Sequence, residues 1–293
     1  MDTHRDIRIA RIVKDWRVRA PVVRELVASV EGERVPGIEW LKRGQGTLVV
    51  RAKLDGVGVI IKKRDLATFR DRFKCRLRAS RAFRQWRGAR RLAAVGIPAA
   101  RPLALLVRSR RSTGGPPSEW LVLEDVPGTT VLHRLAERNL SVTDQHALAR
   151  AVGVQVGAML QAGLCNRDHK PSNLISAFEE GVPIVTLIDT AQIRRRMNAA
   201  EMVRMLATLL IESIGVNVTP RGAIAFRVLR DACAAWLEGT LARPLGSHKG
   251  DRKALRALVR TTARRVDQSI RFHGDPTPKD NPLHGAGSQE KRL

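Results

Sequence analysis

The sequence contains no tyrosine and few other aromatic residues, with 5 Trp and 6 Phe among 293 residues. Proteins that hold single-stranded nucleic acid commonly stack its bases on aromatic side chains. Such stacking platforms are scarce here, which argues against nucleic acid as a specific partner. An arginine-rich surface could still bind phosphate backbones without sequence preference.

Cysteine is also scarce, and the 3 cysteines lie far apart in the chain with no CxxC pair. This pattern excludes a disulfide framework and a zinc ribbon, and it fits a reducing cytosol. We expect Cys165 to be a packed small apolar residue. The 7 histidines show no metal-binding spacing, so we expect each to be a surface side chain or a hydrogen-bonded one.

Long apolar runs are missing as well. No stretch reaches the roughly 18 apolar residues of a transmembrane helix, and the best candidate, residues 205–216, is interrupted by Glu212. The N-terminus is not followed by the apolar segment of a secretory signal. We therefore expect a cytoplasmic protein that does not span a membrane but can bind peripherally to the inner face of the cytoplasmic membrane.

Acidic residues are outnumbered, because 28 Asp and Glu face 53 Lys and Arg, for a formal net charge of +25. This excess predicts an anionic partner such as a phosphorylated substrate or an anionic membrane surface. It is concentrated in residues 62–111, which contain 17 Lys and Arg but 2 acidic residues. That segment is the candidate docking face, with a solvated basic helix as the alternative.

Hydrophobic periodicity predicts an α+β chain in which a small β-rich half precedes a larger helical half. An Asp55-Gly56 turn signal separates the first two predicted strands. The strands are predicted at residues 47–54, 57–61, 103–107, 120–123 and 185–188. The helices are predicted at residues 7–13 and 64–95, after a cap at Ser141, and two or three times within residues 199–270.

The chemically most informative segment has the spacing Arg-Asp-x-Lys-x-x-Asn, which includes Asp168, Lys170 and Asn173. Asp189 follows 16 residues later, at the end of an apolar strand. These groups suit phosphoryl transfer. One carboxylate can accept the proton of an acceptor hydroxyl, and an amide oxygen and a second carboxylate can hold Mg²⁺. The ammonium can offset charge on the transferred group.

This segment resembles the catalytic loop of the protein-kinase-like fold, His-Arg-Asp-x-x-x-x-Asn, with Asn166 in place of the histidine. Within that fold, the chain is similar to the bacterial lipopolysaccharide core kinases that phosphorylate Kdo or heptose. The resemblance implies that Asp168 is the catalytic base and that Lys170 contacts the γ-phosphate of ATP. It implies further that Asn173 and Asp189 bind Mg²⁺.

The resemblance also covers the β-rich half and extends over about residues 40–235. The strand Val-Ile-Ile-Lys ends at Lys62, which by resemblance contacts the α- and β-phosphates. Lys63 is expected on the opposite face of the strand. Gly44 and Gly46 are candidates for a shortened glycine-rich loop over the phosphates, with a plain turn as the alternative. The hinge whose backbone contacts adenine in the fold corresponds to the segment from Glu124 to Val126.

One departure concerns the acidic residue that pairs with the strand lysine in the fold. None of residues 72–118 is acidic, and Gln85 is the candidate for the pairing position. The alternatives are two nearby carboxylates, those of Asp65 and Asp71. A neutral amide supplies no charge, so the sequence leaves open a less active enzyme or a pseudokinase.

The bilobal fold implied by the resemblance divides the chain into four segments. We expect a nucleotide-binding N-lobe at residues 38–126 and a helical, catalytic C-lobe at residues 127–273. Residues 1–37 are expected to be an N-terminal extension. Residues 274–293, which are polar and contain Pro and Gly, are expected to be a disordered tail.

The expected function is an ATP-dependent phosphotransferase that moves the γ-phosphate to a hydroxyl, with a Kdo or heptose of a lipopolysaccharide core as the acceptor. ATP and Mg²⁺ are the expected cofactors, and an anionic glycolipid and an anionic membrane surface are the expected partners. A Ser/Thr protein kinase is the first alternative, although the segment after Asp189 lacks the Ala-Pro-Glu of peptide-binding kinases. A pseudokinase or basic scaffold is the other.

Overall fold

The computed structural model describes residues 7–31, 38–108, 116–137, 140–196 and 198–272. These residues form two units. The N-terminal unit lies within Met1–Arg91 and Ala99–Val126, and the C-terminal unit lies within Leu92–Pro98 and Pro127–Leu293. The expected tail, residues 274–293, lies outside the described residues.

An antiparallel sheet forms the body of the N-terminal unit. Its strands are β1 (Ile7–Ile12), β2 (Glu39–Gly44), β3 (Thr47–Leu54), β4 (Val57–Asp65), β5 (Pro102–Arg108) and β6 (Ser118–Glu124). The spatial order is β1-β5-β6-β4-β3-β2. Asp55 and Gly56 have φ values of 49° and 80°, which is the left-handed turn that an Asp-Gly pair between two strands predicts.

The N-terminal segment adds a strand to this sheet, so the expectation of a helix over residues 7–13 is wrong. Strand β1 pairs antiparallel with β5, with Ile7 opposite Arg108. Helix α1 (Ala20–Glu31) buries Val23 and Val27 in the same apolar layer as Ile7. The spacing of the isoleucines suits both a helix and a strand, and the free edge of β5 decides for the strand.

The helix predicted over residues 64–95 is two helices, α2 (Phe69–Arg76) and α3 (Arg81–Ala93). The interruption, residues 77–80, contains Arg78, whose backbone is left-handed with φ 56°. Glu119 of β6 restarts the helix, because its carboxylate accepts hydrogen bonds from the Ser80 hydroxyl and from the Ala82 N–H, at 3.2 Å for the latter. A carboxylate at a helix N-terminus accepts hydrogen bonds from otherwise unpaired N–H groups and interacts favourably with the positive end of the helix dipole.

The C-terminal unit is mostly helical, as expected. Its helices are α4 (Val131–Glu137), α5 (Val142–Gln161), α6 (Ala199–Gly215), α7 (Gly222–Leu241) and α8 (Asp251–Phe272). Its short strands are β7 (Thr129–Thr130), β8 (Leu164–Asn166), β9 (Leu174–Glu179), β10 (Val182–Leu187) and β11 (Ile193–Arg195). Ser141 caps α5 by accepting the Asp144 N–H at 3.1 Å. In the described part of the chain, no helix has the length and apolarity needed to cross a membrane.

Helices α5 and α7 approach so closely that side chains are excluded from part of their contact. A Cβ on Gly157 would lie 2.5 Å from the Ala235 Cβ and 2.9 Å from the Ala232 carbonyl oxygen. A Cβ on Gly153, one turn earlier, would lie 2.5 Å from the Val228 carbonyl oxygen. These two glycines therefore allow the backbones to meet, because rigid backbone atoms occupy the space of a methyl group.

The substitution Gly157→Ala should lower the free energy of unfolding by about 1–3 kcal/mol, because overpacking against backbone outweighs the gain in helix propensity. Gly222→Ala, at the open start of α7 where nothing lies within 4 Å of the new Cβ, is the matched control and should be neutral or stabilising. Urea denaturation of both variants measures the difference. Equal stability of the two would contradict the close packing.

Candidate active site

Three of the predicted site residues meet in one loop of the C-terminal unit. The loop follows β8 and contains the short 3-10 turn Pro171–Asn173. The Lys170 Nζ lies 3.0 Å from the Asp168 Oδ1. The Asn173 amide nitrogen donates to the Asp168 carbonyl oxygen at 3.0 Å and to its carboxylate at 3.3 Å. A carboxylate, an ammonium and an amide are thus held within hydrogen-bonding distance of one another.

The backbone of the loop is fixed by its own hydrogen bonds. The buried Asn166 side chain accepts the Asp168 N–H at 3.1 Å. The Lys170 N–H donates to the Asp168 carbonyl at 3.0 Å, and the Asn173 N–H donates to the Lys170 carbonyl at 2.9 Å. Asn166 stands where the kinase motif has histidine, and a side-chain oxygen at this position holds the turn that presents Asp168.

Asp189 lies beside Asn173 because the two residues flank a hairpin. Strands β9 and β10 pair antiparallel with Leu174 opposite Leu187, and the Ile188 N–H donates to the Asn173 carbonyl at 3.0 Å. Asp189 is buried, and its Oδ1 accepts the Ala191 N–H at 3.0 Å. The chain therefore brings the predicted amide and carboxylate to the same end of one hairpin.

The donor set of Asn173 and Asp189 suits Mg²⁺. Both supply oxygen ligands, and Mg²⁺ is commonly bound by one or two protein carboxylates or amides together with substrate phosphates and water. The amide nitrogen of Asn173 is engaged with Asp168, so its Oδ1 is the atom suited to a cation. Within the described residues, no cluster of three or more His, Cys, Asp or Glu side chains suits a metal.

Glu212 supports the loop from helix α6, a role that the sequence reading missed. Its carboxylate accepts the Ser172 N–H at 2.8 Å and the Ser172 hydroxyl at 2.5 Å. Burial raises the pKa of Glu212, while the hydrogen bonds from Ser172 and the charge of Lys170 act in the opposite direction. A lone acid within the apolar run of residues 205–216 was the available signal, because a buried carboxylate requires partners.

The substitution Glu212→Gln should lower the free energy of unfolding by about 1–3 kcal/mol, because glutamine has one acceptor oxygen for the two donors of Ser172. It should also lower kcat, because Ser172 lies between Lys170 and Asn173 in the loop. Chemical denaturation and steady-state kinetics measure the two effects. Glu179→Gln at an exposed strand end is the matched control, and a Glu212→Gln enzyme indistinguishable from it would contradict this anchoring.

Glu201 of α6 is a second buried carboxylate near the loop. The Arg167 and Arg196 guanidinium groups both lie 3.4 Å from its Oε1, and Arg204 lies 3.5 Å from its Oε2. Cys165 is buried nearby, as expected for a small apolar residue, and burial raises the pKa of its thiol to about 11. Arg167, which directly precedes Asp168, is therefore anchored to α6 by its ion pair with Glu201.

His169 corrects the expectation that each histidine is a surface or hydrogen-bonded side chain. It is fully buried, and the described part of the chain offers no hydrogen-bond partner to either ring nitrogen. This desolvation lowers the pKa of His169 to about 4. The ring is thus neutral at physiological pH and lies directly after Asp168 in the chain.

In the N-terminal unit, the strand register places Lys62 on the face of β4 that α3 covers. Lys62 alternates with Ile61 and shares a face with Ile60, which packs against the apolar cluster that contains Phe83 and Trp86 of α3. Gln85 is a buried residue of α3. Lys63 points to the other face, where its ammonium lies 5.3 Å from the Trp120 ring centroid.

The two acidic alternatives to Gln85 contact other cations. Asp65 lies 3.4 Å from the Lys63 Nζ, and Asp71 lies 2.9 Å from the Arg64 guanidinium. Hydrogen bonds from Thr68 and the charge of Arg64 lower the pKa of Asp71. Each of these carboxylates thus contacts another cation, and the pairing of Gln85 with Lys62 stays a prediction.

The remaining nucleotide-site candidates lie at strand ends of the same unit. Gly44 ends β2, and Gly46 has φ 68° in the turn to β3. Glu124 ends β6, where its N–H donates to the Arg101 carbonyl at 2.9 Å, and Val126 follows it by two residues. The left-handed backbone at this position favours glycine. The turn alone therefore accounts for Gly46, whether or not a phosphate binds nearby.

The C-terminal unit also contains an apolar cavity of about 590 Å³ among its helices. Leu148 and Val152 of α5, Leu206 of α6 and Ile224 of α7 contribute to its wall. Val266 of α8 completes the set of helices around it. A cavity of this volume and character suits an apolar ligand.

Comparisons with known proteins identify the relatives of this arrangement. Residues 39–227 match the family model described as Lipopolysaccharide kinase (Kdo/WaaP) family. A similar solved structure is "WaaP in complex with acyl carrier protein", with a TM-score of 0.56, 19% identity, and coverage of 89% of this chain and 98% of that chain. At that identity the structural similarity shows the fold alone. No curated protein matches the chain.

Proposed function

Because the chain belongs to the lipopolysaccharide kinase (Kdo/WaaP) family and is therefore a kinase with the expected α+β, kinase-like fold, we propose that it transfers the γ-phosphate of ATP to a Kdo or heptose hydroxyl. The observation that supports this proposal best is the loop in which Asp168 contacts both Lys170, at 3.0 Å, and Asn173, at 3.3 Å. We propose the cytoplasmic face of the membrane as the place of reaction, because the net charge of +25 favours an anionic surface.

In this proposal Asp168 orients the acceptor hydroxyl and accepts its proton as the oxygen attacks the γ-phosphorus. Lys170 offsets charge on the transferred phosphoryl group, and Lys62 binds the α- and β-phosphates. Gly44 and Gly46 lie near the phosphates, and the backbone from Glu124 to Val126 contacts adenine. Lys170 contacts Asp168 at 3.0 Å, so in this proposal it also limits charge repulsion between Asp168 and the nucleotide.

Asn173 and Asp189 would hold Mg²⁺ through their side-chain oxygens. The ion would supply charge neutralisation for the phosphates. The buried position of Asp189 and its hydrogen bond to the Ala191 N–H at 3.0 Å fix the carboxylate before any ligand binds. A preformed ligand set reduces the reorganisation needed when nucleotide arrives.

An acceptor panel tests the proposal. The full-length protein is supplied with labelled ATP and Mg²⁺ and with one of four acceptors: Kdo-bearing lipid A, heptose-bearing lipid A, a generic protein substrate or none. We expect label on a glycolipid, with the Kdo and heptose reactions identifying the sugar. Transfer to protein alone would select a protein kinase. Nucleotide binding without any transfer would select a pseudokinase in which Gln85 fails to replace an acid, and absence of nucleotide binding would refute the kinase proposal.

Acyl carrier protein is a further candidate partner, which we propose because it accompanies WaaP in the similar solved structure. The apolar cavity of about 590 Å³ is suited to an acyl group. Binding of the purified chain to acylated and unacylated acyl carrier protein tests this. Preference for the acylated form supports an acyl group in the cavity, and no binding to either form refutes the partnership.

A further inference from the structure

The N-terminal unit contains a cavity of about 630 Å³ that is lined by arginines from separate elements. Arg8 comes from β1, Arg72 and Arg76 come from α2, Arg78 follows α2, and Arg108 ends β5. Arg108 is buried despite its charge. Converging guanidinium groups repel one another, so their placement around one cavity favours an anion between them.

The carboxylates near this arginine-lined cavity are committed elsewhere. Asp71 binds Arg64 at 2.9 Å, and Glu119 caps α3 through Ser80 and Ala82. Among the described residues, none that lines the cavity is acidic. Among the described residues, no carboxylate forms an ion pair with Arg8, Arg72, Arg76 or Arg78. The lining of the cavity, as the structure describes it, therefore carries positive charge and no negative charge.

The backbone at Arg78 is an independent observation. Its φ of 56° is left-handed, and it follows α2 where the Arg78 N–H donates to the Cys75 carbonyl at 2.9 Å and the Ala79 N–H donates to the Lys74 carbonyl at 2.7 Å. This is the helix-ending motif in which glycine is strongly preferred. An arginine there strains the backbone, and Arg78 is one of the residues that line the cavity, so a function of the side chain would explain the strain.

The cavity is lined mostly by residues of β1, β5 and α2, whereas the candidate phosphate loop joins β2 to β3. Strands β1 and β5 are the first two strands of the sheet, whereas Gly44 and Gly46 join the last two, β2 and β3. None of the nucleotide-site candidates of this unit lines the cavity. A ligand bound here is therefore distinct from the nucleotide.

The basic surface continues along β1 into a second, shallower cavity. This neighbour shares Ile9 and Ala10 with the first cavity and is lined by Arg11, Arg17 and Arg90. Two adjacent arginine-lined cavities suit a ligand with more than one negative charge.

We propose that the arginine-lined cavity is a second anion site that binds a phosphate or pyrophosphate group of a phosphorylated ligand. Planar guanidinium groups match the oxygens of phosphate in pairs, and the apolar remainder of the lining, which includes Leu66 and Phe83, suits the sugar or lipid that carries the group. This site goes beyond the proposed transfer reaction and does not depend on it, because it is defined by binding alone.

Calorimetric titration of the full-length protein with inorganic pyrophosphate tests the site. The double variant Arg72→Gln/Arg76→Gln should bind at least about tenfold more weakly, since each lost charge-assisted contact is worth about that factor. Arg252→Gln/Arg256→Gln, which removes two exposed arginines of α8, is the matched control for net charge. Lys62→Ala identifies any pyrophosphate that binds at the nucleotide site instead. The α8 control should bind within about twofold of the wild type, well inside the tenfold loss.

Arg78→Gly separates binding from folding. Glycine relieves the left-handed strain, so this variant should resist denaturant at least as well as the wild type while binding pyrophosphate about tenfold more weakly. Retained affinity in Arg78→Gly and in the α2 double variant would overturn the proposal. An equal loss of pyrophosphate affinity in the α8 control would also overturn it, because it would indicate a general charge effect. A loss of affinity confined to Lys62→Ala would overturn it as well, because it would place pyrophosphate at the nucleotide site.

Vesicles distinguish the source of the phosphate. Phosphatidylcholine vesicles with and without phosphatidic acid are sedimented with the wild type and with Arg78→Gly. If the variant loses binding to phosphatidic acid as well as to pyrophosphate, a lipid headgroup occupies the site. If the loss is confined to pyrophosphate, a soluble phosphorylated ligand occupies it. Either result supports the phosphate site. The proposal would be overturned if Arg78→Gly bound the vesicles more weakly but bound pyrophosphate as tightly as the wild type.

Discussion

Replacing Asp168 with asparagine is expected to lower kcat by about 10²- to 10⁴-fold, the range that a general base contributes. The amide has the size of the carboxylate but cannot accept the proton of the attacking hydroxyl. It also removes the ion pair to Lys170 at 3.0 Å, so the ammonium loses the partner that holds it near the transferred group. The effect should appear in kcat more than in the KM for ATP, because Asp168 is proposed to act on the acceptor.

The measurement is steady-state transfer to the glycolipid acceptor, with a denaturation curve to show that the variant folds. Asp168 is partly exposed, with a side-chain exposure of 26%, so little stability should be lost. Asp55→Asn is the matched control, because asparagine is well tolerated in a left-handed turn and φ at Asp55 is 49°. An Asp168→Asn enzyme within about threefold of the control would rule out general-base chemistry at this residue.

Acidification is expected to destabilise the C-terminal unit through His169. Burial holds the pKa of this histidine at about 4, whereas the unfolded chain titrates near 6.5. Below about pH 6.5 the unfolded state binds a proton that the folded state does not, so stability falls as pH falls. The loss approaches about 3 kcal/mol by pH 4, from a slope of about 1.4 kcal/mol per pH unit.

The substitution His169→Leu should remove this part of the pH dependence and leave a flatter profile between about pH 6.5 and 4. Urea denaturation at a series of pH values measures the effect. His248→Gln is the control, because His248 is exposed and its replacement should keep the wild-type slope. Equal slopes in the wild type and in His169→Leu would show that other groups dominate the acid response.

Local patterns allowed much of the fold to be predicted. Alternating apolar residues and the Asp55-Gly56 turn predicted β3 and β4, and the Ser141 cap predicted the start of α5; the structure confirms each. Two predictions failed where tertiary contacts compete with local preference. Strand β1 depends on the free edge of β5, and the break between α2 and α3 depends on Glu119, which lies far away in the sequence.

The site divides in the same way. Asp168, Lys170 and Asn173 could be predicted because they lie within one turn-forming segment, where spacing alone brings their side chains together. Glu212 could not, because its partner Ser172 is 40 residues away in the chain and only the packing of α6 brings them together. A carboxylate buried at a distance leaves no local pattern beyond an acid in an apolar run.

By itself the sequence determined that a β-rich half precedes a helical half, the family, and the chemical groups of the candidate catalytic loop. These depend on residues close together in the chain, where turn geometry and hydrophobic periodicity act directly. Only the tertiary structure decided what surrounds those groups. The basic excess of residues 62–111 indicated an anion without a location, and the packing of β1 and β5 with α2 placed five of the chain's arginines around one cavity. That convergence required contacts between distant segments, because no spacing along the chain encodes it.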